Sequence, residues 1–272
     1  MTGPVLWGSR LLVEAGGYAP LVLEPSAAEG IEYVPLAPVD ESDEARVASD
    51  VTAPDEDAAL AAVGRTGADG RFVAVRMELG RYDRATRRTI VRAFALAEWS
   101  RAARFCPTCG FALAWNDGGR GKTCTNPQRA HRLYPRLDPA IIVLVEDGEH
   151  ALLGRPPSWD AGIYSTIAGF VEPGESVEDA VAREVFEETR VRIDELRYVG
   201  SEPWPFPRSL MLGFTAHAAP GQRVVVGEEL EDARWFTRAE ARAVLGVRYG
   251  ATPFFETMSR RLIEGWLTSD DR

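Results

Sequence analysis

Four residues in the middle of the chain have the types and spacing to do chemistry together: Arg183, Glu184, Glu187 and Glu188, in the string REVFEE. At 3.6 residues per turn the three glutamates fall within an arc of about 100° on one helix face. Like charges at that spacing repel and destabilise an isolated helix. Such a cluster calls for a counter-charge. Mg2+ or Mn2+ supplies one, because hard cations take oxygen ligands and complete their shells with water and substrate phosphates. The competing interpretation is a solvated acidic face with Arg183 as an intrahelical partner.

The flanking residues contain the parts needed to hold these side chains. Ser176 is a natural N-cap, with Asp179 three residues on as its capping-box partner. Val181 and Val185 lie beside the charged face and can anchor the helix to a core. A glycine-rich turn, GFVEPGES, precedes it. The full spacing runs Gly169, five residues, Glu175, seven residues, Arg183–Glu184, then Glu187–Glu188. It resembles the Nudix box, the signature of hydrolases that cut a diphosphate linked to another moiety. One position departs: the family pattern has glycine near the end of the box, and this chain has Arg190. Glycine there suits a left-handed residue closing the helix. Arginine either adopts that conformation at a cost on the order of 1 kcal/mol, or the helix ends another way. Altered local geometry rather than lost chemistry is the expectation.

A second motif follows at 201–209, SEPWPFPRS. Its three prolines fix the backbone and are expected to prevent regular pairing, holding Trp204 and Phe206 on a stiff loop. That loop would present an aromatic ring and the Ser209 hydroxyl to a planar ligand. The segment is similar to the SQPWPFPxS array of the NADH pyrophosphatase branch of the Nudix hydrolases. Glu202 stands where that array has glutamine. An acid in place of an amide removes donors and adds charge near an anionic substrate, so relative preference among dinucleotides is expected to shift.

The cysteines form a third feature. All three lie within 106–124, as Cys106-Pro-Thr-Cys109 and Cys124. A CxxC knuckle with a further cysteine about fifteen residues on reads as a zinc ribbon. The branch resembled here carries four cysteines in this place. Here the fourth position falls near Pro127 or Arg129, and His131 is the nearest substitute, giving Cys3His. A degenerate, metal-free ribbon and a redox CxxC are the alternatives, and no strand-to-helix context favours the latter. A closed four-ligand site has no open position for catalysis, so the expected role of zinc is structural.

Composition bounds the remaining choices. The chain has 272 residues, 45% of them hydrophobic, and a formal net charge of −10. That length suffices for two domains and a small module. The charge argues against broad electrostatic binding of nucleic acid. No run of about twenty apolar residues occurs, and MTGPVLWGSR lacks a signal-peptide core, so no membrane association and a cytoplasmic location are expected.

The pattern predicts a β-rich domain over 1–103 that ends in a helix at 84–103, with Ile90, Val91, Phe94 and Trp99 as its core face. Short apolar runs at 20–24 and 71–79 are expected strands, and the acidic stretch 40–57 an expected solvated loop. The ribbon is placed at 104–136. From 137 to 272 a catalytic domain is expected, with a hairpin at 140–155 and a strand at 163–170 leading into the box. After the box helix come strands near 196–201, 208–218 and 233–236. Thr237 and Glu240 are expected to cap a helix over 238–245. A last helix starts at Thr252–Pro253, with Phe255, Ser259, Leu262 and Trp266 on one face. The fold class is α+β, and the resemblance implies an α/β/α sandwich around a mixed sheet.

The resemblance also assigns roles. Glu184 and Glu188 are implied as principal Mg2+ or Mn2+ ligands, with Glu187 sharing the cluster and Arg183 orienting carboxylates. Glu229 matches a further metal-binding glutamate, and the backbone carbonyl of Ala168 is a further ligand. Tyr134 and Phe170 match aromatics that hold the substrate's bases, and Ser259 matches a residue near the substrate. The implied reaction is attack of water on a phosphorus of NADH or NAD, giving AMP and nicotinamide mononucleotide, with Glu187 or Glu188 as general base. Removal of a 5′ NAD cap from RNA is the runner-up, followed by hydrolysis of another substrate such as ADP-ribose. A non-catalytic nucleotide sensor is the remaining alternative. Members of the branch are homodimers.

Overall fold

A computed structural model of the protein describes residues 3–15, 20, 22–23, 31–36, 47–65, 67, 69–116, 119–249 and 257–269. The chain divides into two compact units, residues 1–136 with 205–208, and 137–204 with 209–272.

The first unit holds strands β1 (Gly3–Trp7), β2 (Arg10–Glu14), β3 (Val22–Leu23), β4 (Ile31–Pro35), β5 (Val47–Val51) and β6 (Gly70–Ala74). They form a sheet in the order β4-β5-β1-β2-β6, with β3 beside β1. Helices α1 (Glu56–Ala62), α2 (Val75–Glu78) and α3 (Arg84–Ala102) accompany it. Val5, Leu12, Val51, Leu60 and Phe72 close one core. The expected loop at 40–57 is corrected in part: Val47–Val51 is a strand, parallel to β1 and antiparallel to β4. Its Asp50 is buried but paired with Arg101, which lets an acid sit inside the sheet. The 71–79 run is likewise split between β6 and α2. Residues 21, 24 and 40–46 of these expected segments lie outside the described residues.

Helix α3 starts at Asp83, whose carboxylate accepts from Thr86 N at 2.9 Å. Ile90, Phe94 and Trp99 are buried, and Val91 is half-buried. A three-stranded sheet follows, β7 (Leu113–Trp115), β8 (Lys122–Cys124) and β9 (Arg132–Leu133). It is tied to α3 through Lys122, which is buried between Trp99 and Trp115. Its ammonium donates to the carbonyls of Ser100 and Ala103, at 3.2 and 3.1 Å, satisfying carbonyls that the helix end leaves free.

The second unit is built on β10 (Asp138–Glu146). It pairs parallel with β14 (Ser209–His217) and antiparallel with β11 (His150–Arg155) and β12 (Ile167–Phe170). With β13 (Asp194–Trp204) and β15 (Asp232–Thr237) the order is β13-β14-β10-β11-β15, a mixed sheet with β12 beside β10. Helices cover both faces, which is why β10 reads as a continuous apolar run rather than an alternating one. Ile141, Val143 and Val145 pack with Ala180, Val181 and Val185 of α4 (Val177–Thr189). Ile142 and Leu144 pack the other way, with Leu262, Ile263 and Trp266 of α6 (Met258–Leu267) and Ala241 and Val244 of α5 (Arg238–Tyr249).

Thr237 and Glu240 form the expected capping box at α5, with Thr237 N donating to Glu240 at 2.9 Å. The strand at 163–170 is shorter than expected: only Ile167–Phe170 is ladder, with an isolated bridge from Ser165 to Gly154. Helix α6 is capped by Thr257, while Thr252, Pro253 and Phe255 lie outside the described residues. Among the described residues no helix is long and apolar enough to cross a membrane.

Candidate active site

Helix α4 carries the four charged residues, and its start is fixed locally. Ser176 Oγ accepts from Asp179 N at 3.1 Å and donates to the Asp179 carboxylate at 2.6 Å. The helix ends on Arg190 in the left-handed conformation, φ 60° and ψ 11°. Of the two expected outcomes at this position, the strained one is found. The guanidinium lies 5.2 Å from the Phe186 ring centroid, a cation–π contact that offsets part of the strain.

Arg183 organises the near side of the site. It makes a two-pronged pair with Glu175 at 2.8 and 3.0 Å, donates to Phe170 O at 2.8 Å, and reaches Glu184 and Glu187 at 3.0 Å each. One guanidinium thus ties the preceding turn, β12 and α4 together. Its bonds hold the Glu175 carboxyl below the usual carboxylate range, helped by the Glu172 N–H.

Glu184 lies across β12. A Cβ placed on Gly169 would sit 1.9 Å from Glu184 Cδ. The carboxylate therefore occupies the space that any side chain at 169 would need. Burial raises the Glu184 carboxyl, while Arg183 opposes the rise.

Glu188 is buried, and its carboxyl is pushed up to about 8, first by burial and then by the charges of Glu184 and Glu229. Glu229 is brought to α4 by backbone. Val225 N donates to Thr189 O at 2.9 Å, and Gly227 N to Glu188 O at 2.8 Å, capping the last carbonyls of the helix. Gly227 permits this approach, since a Cβ there would lie 2.4 Å from Glu187 O. The structure thus brings Glu184, Glu188 and Glu229 within electrostatic reach, while Glu187 is more exposed and turned to Arg183. Mutually repelling carboxylates gathered around one buried member, Glu188, are a donor set suited to a hard divalent cation. Ala168, opposite Ile142 in the ladder, immediately precedes Gly169.

The aromatic motif folds differently from expectation. Ser201, Glu202, Pro203 and Trp204 pair regularly with Leu212, Met211, Leu210 and Ser209. The correction has a simple cause: β13 is an edge strand, where a proline's missing N–H can face away from the ladder. Only 205–208 is turn. Glu202 accepts from Met258 N at 2.7 Å, at the first turn of α6. Ser209 is buried. Ser259, also buried, shares a 2.8 Å hydrogen bond with Ser165 and accepts from Thr166 N at 3.5 Å. Phe170 is 55% exposed beside the Arg183 network. Tyr134 and Phe206 belong to the first unit, Tyr134 exposed and Phe206 with its ring 5.1 Å from that of Phe94.

The cysteines and His131 come together in the first unit. Cys106 Sγ and Cys109 Sγ lie 3.5 and 3.6 Å from His131 Nδ1, Cys109 Sγ lies 3.6 Å from Cys124 Sγ, and Cys124 Sγ lies 3.9 Å from His131 Nδ1. Bonds of about 2.3 Å to sulfur and about 2.0 Å to nitrogen place tetrahedral donors roughly 3.5–3.8 Å apart. The four donors therefore fit one tetrahedral ion, with His131 in the place of a fourth cysteine.

A family model described as NUDIX domain matches residues 136–258. A protein of Pseudomonas syringae pv. tomato named NAD-capped RNA hydrolase NudC is 52% identical over 141 residues, 52% of this chain and 50% of that one. A protein of the same name from Stutzerimonas stutzeri is 42% identical over 197 residues, 72% of this chain and 68% of that one. The chain belongs to the Nudix family. It spans about half the length of the Pseudomonas relative. A solved Nudix hydrolase from Nitrosomonas europaea aligns at 22% identity and a TM-score of 0.47, over 59% of this chain and 90% of that one.

Two residues to which the sequence assigned no role also position the site. Glu175, named only as part of the box spacing, fixes Arg183. Gly227 lets the 225–229 segment reach α4, and no local signal marked it.

Proposed function

We propose that this chain hydrolyses the pyrophosphate bond of NADH or NAD, releasing AMP and nicotinamide mononucleotide. The observation that carries the proposal is the electrostatically coupled set Glu184, Glu188 and Glu229, in which the buried Glu188 carboxyl is pushed up to about 8 by burial and by the other two charges. With Ala168 O, these residues would hold Mg2+ or Mn2+. Bound there, the metal neutralises phosphate charge and lowers the pKa of the attacking water. Arg183 fixes the orientation of Glu184 and Glu187 from behind. Glu187 and Glu188 are the two candidates for the base that takes the water's proton. Phe170, exposed next to the cluster, is suited to stack on a base. By resemblance, Tyr134, Glu202, Trp204, Phe206, Ser209 and Ser259 are proposed as further substrate-binding residues.

The printed name of the relatives favours a second reading, removal of a 5′ NAD cap from RNA, in which the same bond is cut. We assign residues 1–103, 104–136 and 137–272 to a β-rich domain, a structural zinc ribbon held by Cys106, Cys109, Cys124 and His131, and the catalytic domain. The protein is proposed to act in the cytoplasm as a homodimer. Parallel turnover assays with NADH, NAD, ADP-ribose and 5′-NAD RNA, in Mg2+ or Mn2+, test the substrate. Preference for the dinucleotides or for the RNA supports the corresponding reading. Efficient cleavage of ADP-ribose with poor dinucleotide turnover overturns both.

A further inference from the structure

Glu184 and Glu188 stand on helix α4, but Glu229 lies on the irregular span between β14 and β15. It is exposed, and its side chain forms no hydrogen bond or ion pair among the described residues. Its charge repels those of Glu184 and Glu188, so on a free loop it would drift away from them. The place of Glu229 is therefore set by the residues on either side of it.

The upstream side is tied to α4 by the bonds from Val225 N and Gly227 N. The downstream side is tied to β11. Leu230 lies over Gly154, where an added Cβ would be 2.8 Å from Leu230 Cδ1. Glu231 N donates to Arg155 O at 2.8 Å, and Arg155 Nη1 donates to the Glu231 carboxylate at 2.6 Å. One residue thus grips Glu231 through both backbone and side chain. Arg155 is itself held. Its Nη1 also donates to Trp159 O at 3.1 Å, and its guanidinium lies 6.0 Å from the Tyr164 ring centroid. The Tyr164 hydroxyl in turn donates to Asp232, the ladder partner of Arg155. The Arg155 side chain is 13% exposed and that of Glu231 53%. The arginine is the fixed member of the pair, so the bond anchors the loop to the sheet.

We propose that Arg155 is a positioning residue for the metal site: through Glu231 it fixes the end of the span against β11 and holds Glu229 within reach of Glu184 and Glu188. This rests on the reading of Glu229 as a metal ligand. Two residues of chain reach at most about 7 Å, so fixing Glu231 confines Glu229 to that radius. A ligand on a span anchored at both ends has less freedom left to lose when a cation binds.

The test is isothermal titration of the full chain with Mn2+, in wild type, Arg155→Ala, Arg155→Lys, Glu231→Gln and Glu229→Gln. Arg155→Ala should weaken Mn2+ binding about 10-fold, as for other residues behind a metal ligand. Glu231→Gln changes an exposed side chain and leaves the fold intact. It should weaken binding roughly 2- to 5-fold, the range of a half-exposed ion pair. Arg155→Lys keeps a cation for Glu231 and should lie between wild type and Arg155→Ala. In the Glu229→Gln background Arg155→Ala should change affinity no further, because Arg155 acts through Glu229. An equal loss in the two backgrounds overturns the proposal, since it would make Arg155 a general support of the fold. Loss of affinity in Glu229→Gln with wild-type affinity in Arg155→Ala and Glu231→Gln overturns the proposal alone. Wild-type affinity in Glu229→Gln overturns the reading of Glu229 as a ligand, and the proposal with it.

Discussion

The Glu184 carboxylate fills the space directly above the α-carbon of Gly169, so that a methyl group at 169 would fall 1.9 Å from Glu184 Cδ. This contact explains the first glycine of the box in terms of volume rather than backbone freedom, since Gly169 sits in ordinary ladder opposite Ile141. Gly169→Ala should displace Glu184 without unfolding the sheet. Mn2+ affinity or turnover should fall about 10- to 100-fold, as for other residues that orient metal ligands. Isothermal titration with Mn2+ checks this, and wild-type affinity would contradict it.

Burial and two neighbouring carboxylates raise Glu188 from its ordinary 4.5 to about 8. The folded, metal-free protein therefore favours neutral Glu188. That contribution is complete below about pH 4.5 and is lost as pH rises through about 8. Metal-free wild type should lose stability relative to Glu188→Gln between about pH 6 and pH 9, by about 1–3 kcal/mol. Paired melting curves in chelator at several pH values measure the difference. Mn2+ affinity should rise over the same window, because binding releases the proton.

The four-donor cluster predicts one tightly held zinc per chain. His131→Cys should keep it, having the fourth thiolate that the ribbon pattern asks for, whereas His131→Ala and Cys109→Ser should lose it. Metal analysis after dialysis decides this, and zinc retention by His131→Ala would remove His131 from the ligand set. Because Lys122 of β8 satisfies the end of α3, loss of zinc should also lower the melting temperature of the first unit.

Glu202 accepts from Met258 N, so its carboxylate acts as a cap on α6. Glu202→Gln keeps an acceptor and should change stability little, while Glu202→Ala should cost about 1 kcal/mol. If the capping role is its main one, neither substitution alters the ratio of NADH to NAD turnover. A shifted ratio with unchanged stability would instead place the side chain against substrate.

The legible parts of the fold are those governed by neighbours in sequence. Ser176 and Asp179 announce the start of α4, Thr237 and Glu240 that of α5, and the uninterrupted run AIIVLV marks a strand covered on both faces. Cys106, Cys109, Cys124 and His131 were readable because ligand chemistry restricts the residue types. Elements decided by tertiary pairing were not readable. Pro203 fits a ladder because β13 lies at the sheet edge, and Val47–Val51 is a strand through its pairing with β1 and β4, with its buried Asp50 answered by Arg101. The path that carries Glu229 to Glu188 runs through backbone bonds from Val225 and Gly227, which leave no mark in side-chain pattern.

The central claim is that the clustered carboxylates of α4 support metal-dependent cleavage of a pyrophosphate. Release of AMP from NADH in Mn2+ by wild type, Glu184→Gln and Glu188→Gln tests it most directly. Turnover should fall by about 10²-fold or more in each variant, with the fold intact by circular dichroism. Wild-type turnover in both variants would contradict the account.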